Sequence, residues 1–192
     1  IQPQCIAAPS ELPFARIAET CGPALAMMTV AAEAAGARGI ARRLLDAGAV
    51  PAVGHTDADW RTTRRFLDLG VTHVTHLFNA MRSFHHREPG ALGAVLMDGR
   101  TVCQIIPDGN HVHAAILAWL YRLKGGEGLC LITDGMRPML ARGRRFTYLG
   151  LEYRVRNGAV WYNDGTLIGT ATGQLDLLGR FARFAGVGRE DL

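Results

Sequence analysis

The chain has 192 residues, enough for one domain with a substantial core, and it is 48% hydrophobic and 20% charged, as in ordinary globular proteins. Its formal charge of +4 is carried almost wholly by arginines. These are scattered (Arg42-Arg43, Arg64-Arg65, Arg142, Arg144-Arg145), not gathered into the aromatic-interleaved stripe of a nucleic-acid surface. No run reaches the roughly 18 apolar residues of a membrane span, and no basic segment followed by an apolar one opens the sequence. Nucleic-acid, membrane and signal-peptide readings are set aside, while an anionic small substrate stays compatible. Cys5, Cys21, Cys103 and Cys130 contain no Cys-x-x-Cys pair. They predict neither a disulfide framework nor a thiolate metal site, and Cys103 and Cys130 are expected as buried thiols in a reducing, cytoplasmic setting.

Residues 1–9 read as irregular. Pro9-Ser10 before Glu11 is a helix start, and Leu12 to Cys21 fits one short helix stopped by Gly22-Pro23. Ala24 to Ala31 reads as a buried strand, with a helix not excluded by its periodicity, and Ala34 to Ala47 as a helix with Ile40, Leu44 and Leu45 on one face. Val50 to Gly54 is the next strand, and Thr56 or Asp57 is placed to cap a helix running to Leu69. Gly70 ends that helix. Thr72 to Leu77 alternates apolar and polar residues up to His76. Met81 to Gly90 is a polar loop, richer in chargeable groups than a connector requires. A strand follows from Arg100 to Pro107, then the turn Asp108-Gly109-Asn110-His111. Val112, Ile116, Trp119, Leu120 and Leu123 form the apolar face of a helix ended by Gly125-Gly126. Leu129 to Thr133 is the last strand of this series. Phe146 to Ile168 alternates, with turn signals at Asn157-Gly158 and Asp164-Gly165, and predicts a β-hairpin or meander. Residues 173–185 return to helix, with Leu175, Leu178, Phe181 and Phe184 at helical spacing.

Four polar groups therefore close four apolar runs in order: His55, His76, His111 and Asp134. In a parallel (β/α) barrel the C-terminal strand ends converge on the face that carries chemistry. About five strand-helix units are present, whereas a closed eight-stranded barrel takes about 250 residues. The expected fold class is thus α/β, a partial barrel with a β-hairpin insertion near the C-terminus, treated as one catalytic domain over residues 1–192.

All seven histidines fall between His55 and His113. His55 and His76 end adjacent strands, where their imidazoles reach one divalent metal or, alternatively, form a hydrogen-bonded core pair. His73 alternates to the opposite face and is read as structural. Asp134 is suited to hold a water and shuttle its proton, or else to cap a turn. His111 beside Asp108 is a substrate ligand or a turn histidine. His86-Arg87 either binds a phosphate through the planar guanidinium or is plain loop charge.

Five motifs occur in order: Gly54-His55-Thr56-Asp57-Ala58, Thr75-His76-Leu77-Phe78-Asn79-Ala80-Met81, His86-Arg87-Glu88-Pro89-Gly90, Asp108-Gly109-Asn110-His111-Val112-His113 and Thr133-Asp134. Together, from about Met28 to about Gly173, they closely resemble the N-acetylglucosamine-6-phosphate deacetylase family of the amidohydrolase superfamily. The resemblance implies a (β/α)8 TIM barrel of the metal-dependent hydrolase type. It implies deacetylation of N-acetylglucosamine 6-phosphate to glucosamine 6-phosphate and acetate in amino-sugar catabolism. By the same resemblance His55 and His76 bind a divalent metal, zinc or iron, and Asp134 activates the attacking water and then protonates the leaving amine. His111 contacts the substrate near its acetamido group, Asn79 and Ala80 bind the sugar phosphate, and Leu167-Ile168-Gly169 is a further substrate contact. Arg87 matches a phosphate-binding arginine that reaches across a homodimer interface. The family's upstream His-Leu-Glu-Gly-Pro-like metal motif does not occur in this sequence, and Ala31-Ala32-Glu33 stands where Ala-Pro-Glu is usual. Glu33 is not taken as the missing ligand. Two other readings stay open: an amidohydrolase acting on a cyclic amide or an amino-purine, and a non-catalytic chain that folds by association.

Overall fold

Short parallel strands, each followed by a turn and a helix, build the first half of the chain. A computed structural model describes residues 11–140, 145–148 and 150–188. The chain divides into two units, Ile1–Cys103 and Gln104–Leu192, and the division falls within a strand.

The first unit opens with α1 (Glu11–Cys21), whose end is closed by a 3-10 turn at Gly22–Ala24. Then come β1 (Met27–Val30), α2 (Ala37–Asp46), β2 (Val50–Val53), α3 (Trp60–Leu67), β3 (His73–Val74), α4 (Gly90–Met97) and the start of β4 (Val102–Ile105). The strands pair in parallel in sequence order, with Met27 opposite Val50, Ala52 opposite His73 and His73 opposite Val102. This is repeated βαβ connectivity, in which a helix carries the chain back so that the next strand runs the same way. Ile40, Leu44, Val53, Phe66, Leu67, Val74 and Leu77 are buried and form its core. Asp98, just past α4, accepts from Arg64 on α3 at 2.8 Å and from Arg100, tying the two packed helices to the entry of β4.

The second unit holds the end of β4, α5 (Ala114–Lys124), β5 (Leu129–Leu131), β6 (Arg145–Tyr148), β7 (Leu151–Arg156), β8 (Ala159–Tyr162), β9 (Leu167–Thr170) and α6 (Gln174–Ala185). The Ile132 amide donates to Ile105 O at 2.9 Å, continuing the parallel pattern. The expected meander is a four-stranded antiparallel sheet in the order β6-β7-β8-β9, one strand more than the three that the two turn signals separate. Asn157 and Gly158 both have positive φ, 54° and 79°, as a type I′ hairpin turn requires. Helix α6 packs on α5, with the Tyr121 and Phe181 rings edge to face at 6.0 Å, and Gln174 donates to Leu131 O at 2.8 Å.

Several sequence expectations need correction. Helix α4 was not foreseen, because Gly90 to Leu96 is buried on all sides and shows no amphipathic period. Only Val30 of β1 is buried, so that strand is not a core strand. Leu45 is exposed while Ile40 and Leu44 are buried. The cap of α3 is Asp59, which accepts from the Thr62 amide at 2.7 Å, and not Thr56 or Asp57, whose side chains are engaged elsewhere. On α5 the core face is Leu117 and Leu120, whereas Ile116, Trp119 and Leu123 are exposed. On α6 the buried residues are Leu177, Phe181 and Ala182, and Leu175 is 81% exposed. Cys103 is buried as expected, but Cys130 is exposed, and Cys5 and Ser10 lie outside the described residues. Among the described residues no helix is long and apolar enough to cross a membrane.

Candidate metal and catalytic residues at the strand ends

In the first unit, β2 stops at Val53 and β3 at Val74, so His55 and His76 both fall two residues past a strand end. Parallel pairing brings these two ends side by side. The Nε2 atoms lie 2.7 Å apart, with the rings edge to face at 74°. The two imidazole nitrogens converge at hydrogen-bond distance, and which of them carries hydrogen depends on the tautomer of each ring. His76 is 7% exposed, and its Nδ1 is buried with no hydrogen-bond partner. Both histidines have left-handed backbone, φ 49° at His55 and 27° at His76, as do Phe78 at 75° and Ala80 at 51°. Such conformations cost about 1–3 kcal/mol each and persist only where the surroundings impose them, typically at functional sites.

Those surroundings are polar. Glu33, past β1, accepts from the Thr56 hydroxyl and from the Asp57 amide at 2.7 Å. Asp57 accepts from both ends of the Arg82 guanidinium fork at 2.8 and 2.9 Å, which holds its carboxyl below the ordinary value. Thr56 also forms a parallel bridge with Met81. Sequence reasoning missed Arg82 altogether and left Glu33 without a role. Their partners lie 23 to 25 positions away, beyond the reach of any local pattern.

Asn79 donates its side-chain amide to the carbonyls of His76 and Leu77, each at 3.2 Å, and so fixes the turn that presents Ala80. Arg87 sits on an exposed loop beside His86, with Nη1 2.9 Å from His86 Nε2. Glu88 anchors that loop by accepting from the amides of Trp60 at 3.0 Å and Gly90 at 3.1 Å. His73 makes a 3.3 Å contact with its neighbour Thr72 and stands apart from the histidine pair.

In the second unit Asp108 and His111 form a buried dyad. Asp108 accepts from His111 Nδ1 at 2.8 Å and from the amides of Asn110 and His111, also at 2.8 Å. Burial pushes the Asp108 carboxyl up, but the hydrogen bonds from His111 and Asn110 outweigh it and hold the group below its ordinary value. With Nδ1–H committed to the carboxylate, His111 has only Nε2 left to offer a ligand. Asp134 follows β5 with φ 44°; it is exposed, and its carboxylate has no hydrogen-bond partner among the described residues. Leu167-Ile168-Gly169 is the body of β9, and the Thr170 amide donates to Asp134 O at 3.1 Å. A Cβ on Gly169 would lie 2.6 Å from that same carbonyl. The absence of a side chain there lets β9 run against the backbone of Asp134.

As donors for a divalent ion His55 and His76 fit, because their Nε2 atoms converge and imidazole nitrogen is a usual ligand for such ions. Among the described residues no group of three or more His, Cys, Asp or Glu side chains is gathered to hold a metal. The pair would therefore supply two ligands and not a full set.

Parallel strand-helix alternation with polar residues at the strand ends, followed by an antiparallel sheet, defines an α/β protein of the amidohydrolase barrel class, present in part. No family model matches the chain. It is 34% identical over 157 residues to N-acetylglucosamine-6-phosphate deacetylase of Bacillus subtilis, covering 82% of this chain and 40% of that protein. It is 41% identical over 128 residues to N-acetylgalactosamine-6-phosphate deacetylase of a Shewanella species, covering 62% of this chain and 32% of that one. A solved structure of N-acetyl-D-glucosamine-6-phosphate deacetylase from Mycobacterium smegmatis, a mutant in complex with N-acetyl-D-glucosamine-6-phosphate, superposes with a TM-score of 0.92 at 32% identity, over 99% of this chain and 50% of that one. The chain is a partial-length relative of N-acetylglucosamine-6-phosphate deacetylase, spanning half or less of the proteins it matches.

Proposed function

We propose that this chain carries metal-binding and acid–base residues of a deacetylase that hydrolyses N-acetylglucosamine 6-phosphate to glucosamine 6-phosphate and acetate. The observation that carries the reading is the pair of strained strand-end histidines with Nε2 atoms 2.7 Å apart, in a chain whose relatives bear that enzyme's name. His55 and His76 hold a divalent ion, zinc or iron, together with ligands from outside the pair. When bound, such an ion supplies Lewis acidity, which an unreactive amide needs. Asp134, exposed and with a carboxylate that has no hydrogen-bond partner among the described residues, takes the proton of the attacking water and returns it to the departing amine as the C–N bond breaks. His111, its tautomer fixed by Asp108, turns Nε2 to the acetamido group. Asn79, Ala80 and the Leu167-Ile168-Gly169 strand contact the sugar phosphate, and Arg87 binds its phosphate from the neighbouring subunit of a homodimer. The setting is cytoplasmic.

Relatives named for N-acetylgalactosamine 6-phosphate make the 4-epimer a specific second candidate. Acetate release is measured with both 6-phosphates, with N-acetylglucosamine lacking phosphate, and with a cyclic amide, at added zinc or iron. Turnover of a 6-phosphate alone is expected, with Asp134→Asn lowering it about 10²–10⁴-fold at unchanged metal content. A wild-type rate in that variant removes Asp134 from the acid–base role. Turnover of the cyclic amide alone, or of nothing, favours the other amidohydrolase or the non-catalytic reading.

A further inference from the structure

The strained His55 segment is held from one strand away. β1, β2 and β3 run side by side, and the segment after each reaches toward the next. Before His55, the Gly54 amide donates to Val30 O at 3.4 Å, and the Thr75 amide donates to Val53 O at 2.9 Å. After His55, the next two residues both donate to one carboxylate, that of Glu33: Thr56 through its hydroxyl and Asp57 through its amide. Asp57 in turn grips the Arg82 fork, and Arg82 follows the His76–Ala80 turn. Thr56 is 2% exposed whereas Glu33 is exposed, so the hydroxyl end of their bond is shielded from water and the carboxylate end is not. Glu33 thus begins a chain of polar contacts that runs through the His55 segment to the end of the His76 turn.

We infer that Glu33 is a positioning residue: it holds His55 in its left-handed conformation, and so sets the nitrogen pair, without touching metal or substrate itself. This rests on the metal role proposed for His55 and His76. Each Glu33 oxygen accepts one donor, the Thr56 hydroxyl on one and the Asp57 amide on the other, which ties the carboxylate to the segment just after His55. Partners one layer behind a ligand commonly change metal affinity about 10–100-fold when removed.

The test is zinc affinity of the purified chain, read by competition with a chromophoric chelator, together with the visible absorption of bound cobalt. Glu33→Ala is expected to weaken zinc binding about tenfold or more. Its cobalt spectrum should be altered, at a temperature well below the variant's own unfolding. Glu33→Gln keeps a carbonyl oxygen for one of the two donors and should fall between Ala and wild type. Thr56→Val, which removes only the hydroxyl donor, provides the same comparison if Glu33→Ala fails to fold. His55→Ala is the reference and should lose binding. If His55→Ala loses zinc while Glu33→Ala, or Thr56→Val in its place, binds as wild type with an unchanged cobalt spectrum, Glu33 is structural only and the inference is overturned. If His55→Ala itself binds as wild type, the metal reading fails and takes the inference with it.

Discussion

At the scale of single residues, backbone conformation separates the candidate site from the rest. Among the described residues six non-glycines have positive φ, and of these only Asn157 belongs to a hairpin turn; the others are His55, His76, Phe78, Ala80 and Asp134. Three of those five were picked out from sequence as polar residues closing apolar runs. Asp134 is held partly by Gly169, whose φ is 146° and whose absent Cβ leaves room for the Asp134 carbonyl. Gly169→Ala places a methyl 2.6 Å from that oxygen. Its expected cost is about 1–3 kcal/mol, from overpacking and from a backbone region that L side chains avoid. Gly39, inside α2 with open space at its Cβ position, is the control: Gly39→Ala should stabilise by about 0.5–1 kcal/mol. Urea midpoints of the two variants should move in opposite directions, and a neutral Gly169→Ala would mean that β9 can shift away without cost.

At the scale of elements, α5 gives the sharpest test of what sequence can and cannot say. The helix carries two apolar stripes, Ile116-Trp119-Leu123 and Leu117-Leu120, one residue apart in phase. The sequence places Val112, Ile116, Trp119, Leu120 and Leu123 on the core face; of these Val112 and Leu120 are buried, Ile116, Trp119 and Leu123 are exposed, and Leu117 is the buried residue it leaves out. Leu117→Ala should therefore cost about 2–5 kcal/mol, as cavity formation at a fully buried leucine does. Ile116→Ala, at a residue 39% exposed, should fall within about 0.5 kcal/mol of wild type. Chemical denaturation of both variants decides, and equal losses would mean that both stripes are covered in solution. The same limit explains α6, where Leu175 was expected inside and lies out, and α4, where an unbroken apolar run has no phase to read. Strand ends were legible for the opposite reason. A polar residue closing an apolar run is a local event, and parallel pairing of adjacent strands then brings successive ends together, as His55 and His76 show. The Glu33–Thr56–Asp57–Arg82 contacts were illegible because they join segments whose adjacency only the folded sheet creates.

At the scale of the whole molecule, the charge carried by the fold dictates its response to acid. Among the described residues two carboxylates sit well inside, Asp98 at 5% exposure and Asp108 at 4%. Hydrogen bonds from Arg100, with the charges of Arg100 and Arg64 beside them, outweigh burial and hold the Asp98 carboxyl far below its ordinary value. Asp108 is held low by His111 and Asn110 against its own burial. For a carboxylate whose folded value is depressed, the folded state binds fewer protons than the unfolded one at mildly acid pH. Stability from both groups is therefore fully present above the unfolded carboxylate value of about 4 and is lost as pH falls below it, toward the lower folded values. Asp98→Asn should lower stability at neutral pH by about 1.5–3 kcal/mol, the loss of charge-assisted hydrogen bonds. It should also flatten the fall of stability below about pH 5, because one proton-linked group is gone. Urea unfolding of wild type and Asp98→Asn from neutral to strongly acid pH measures both quantities. Parallel curves, with the same acid slope in both proteins, would mean that Asp98 is not held low in solution and that the Arg64–Asp98–Arg100 cluster adds no pH-dependent stability.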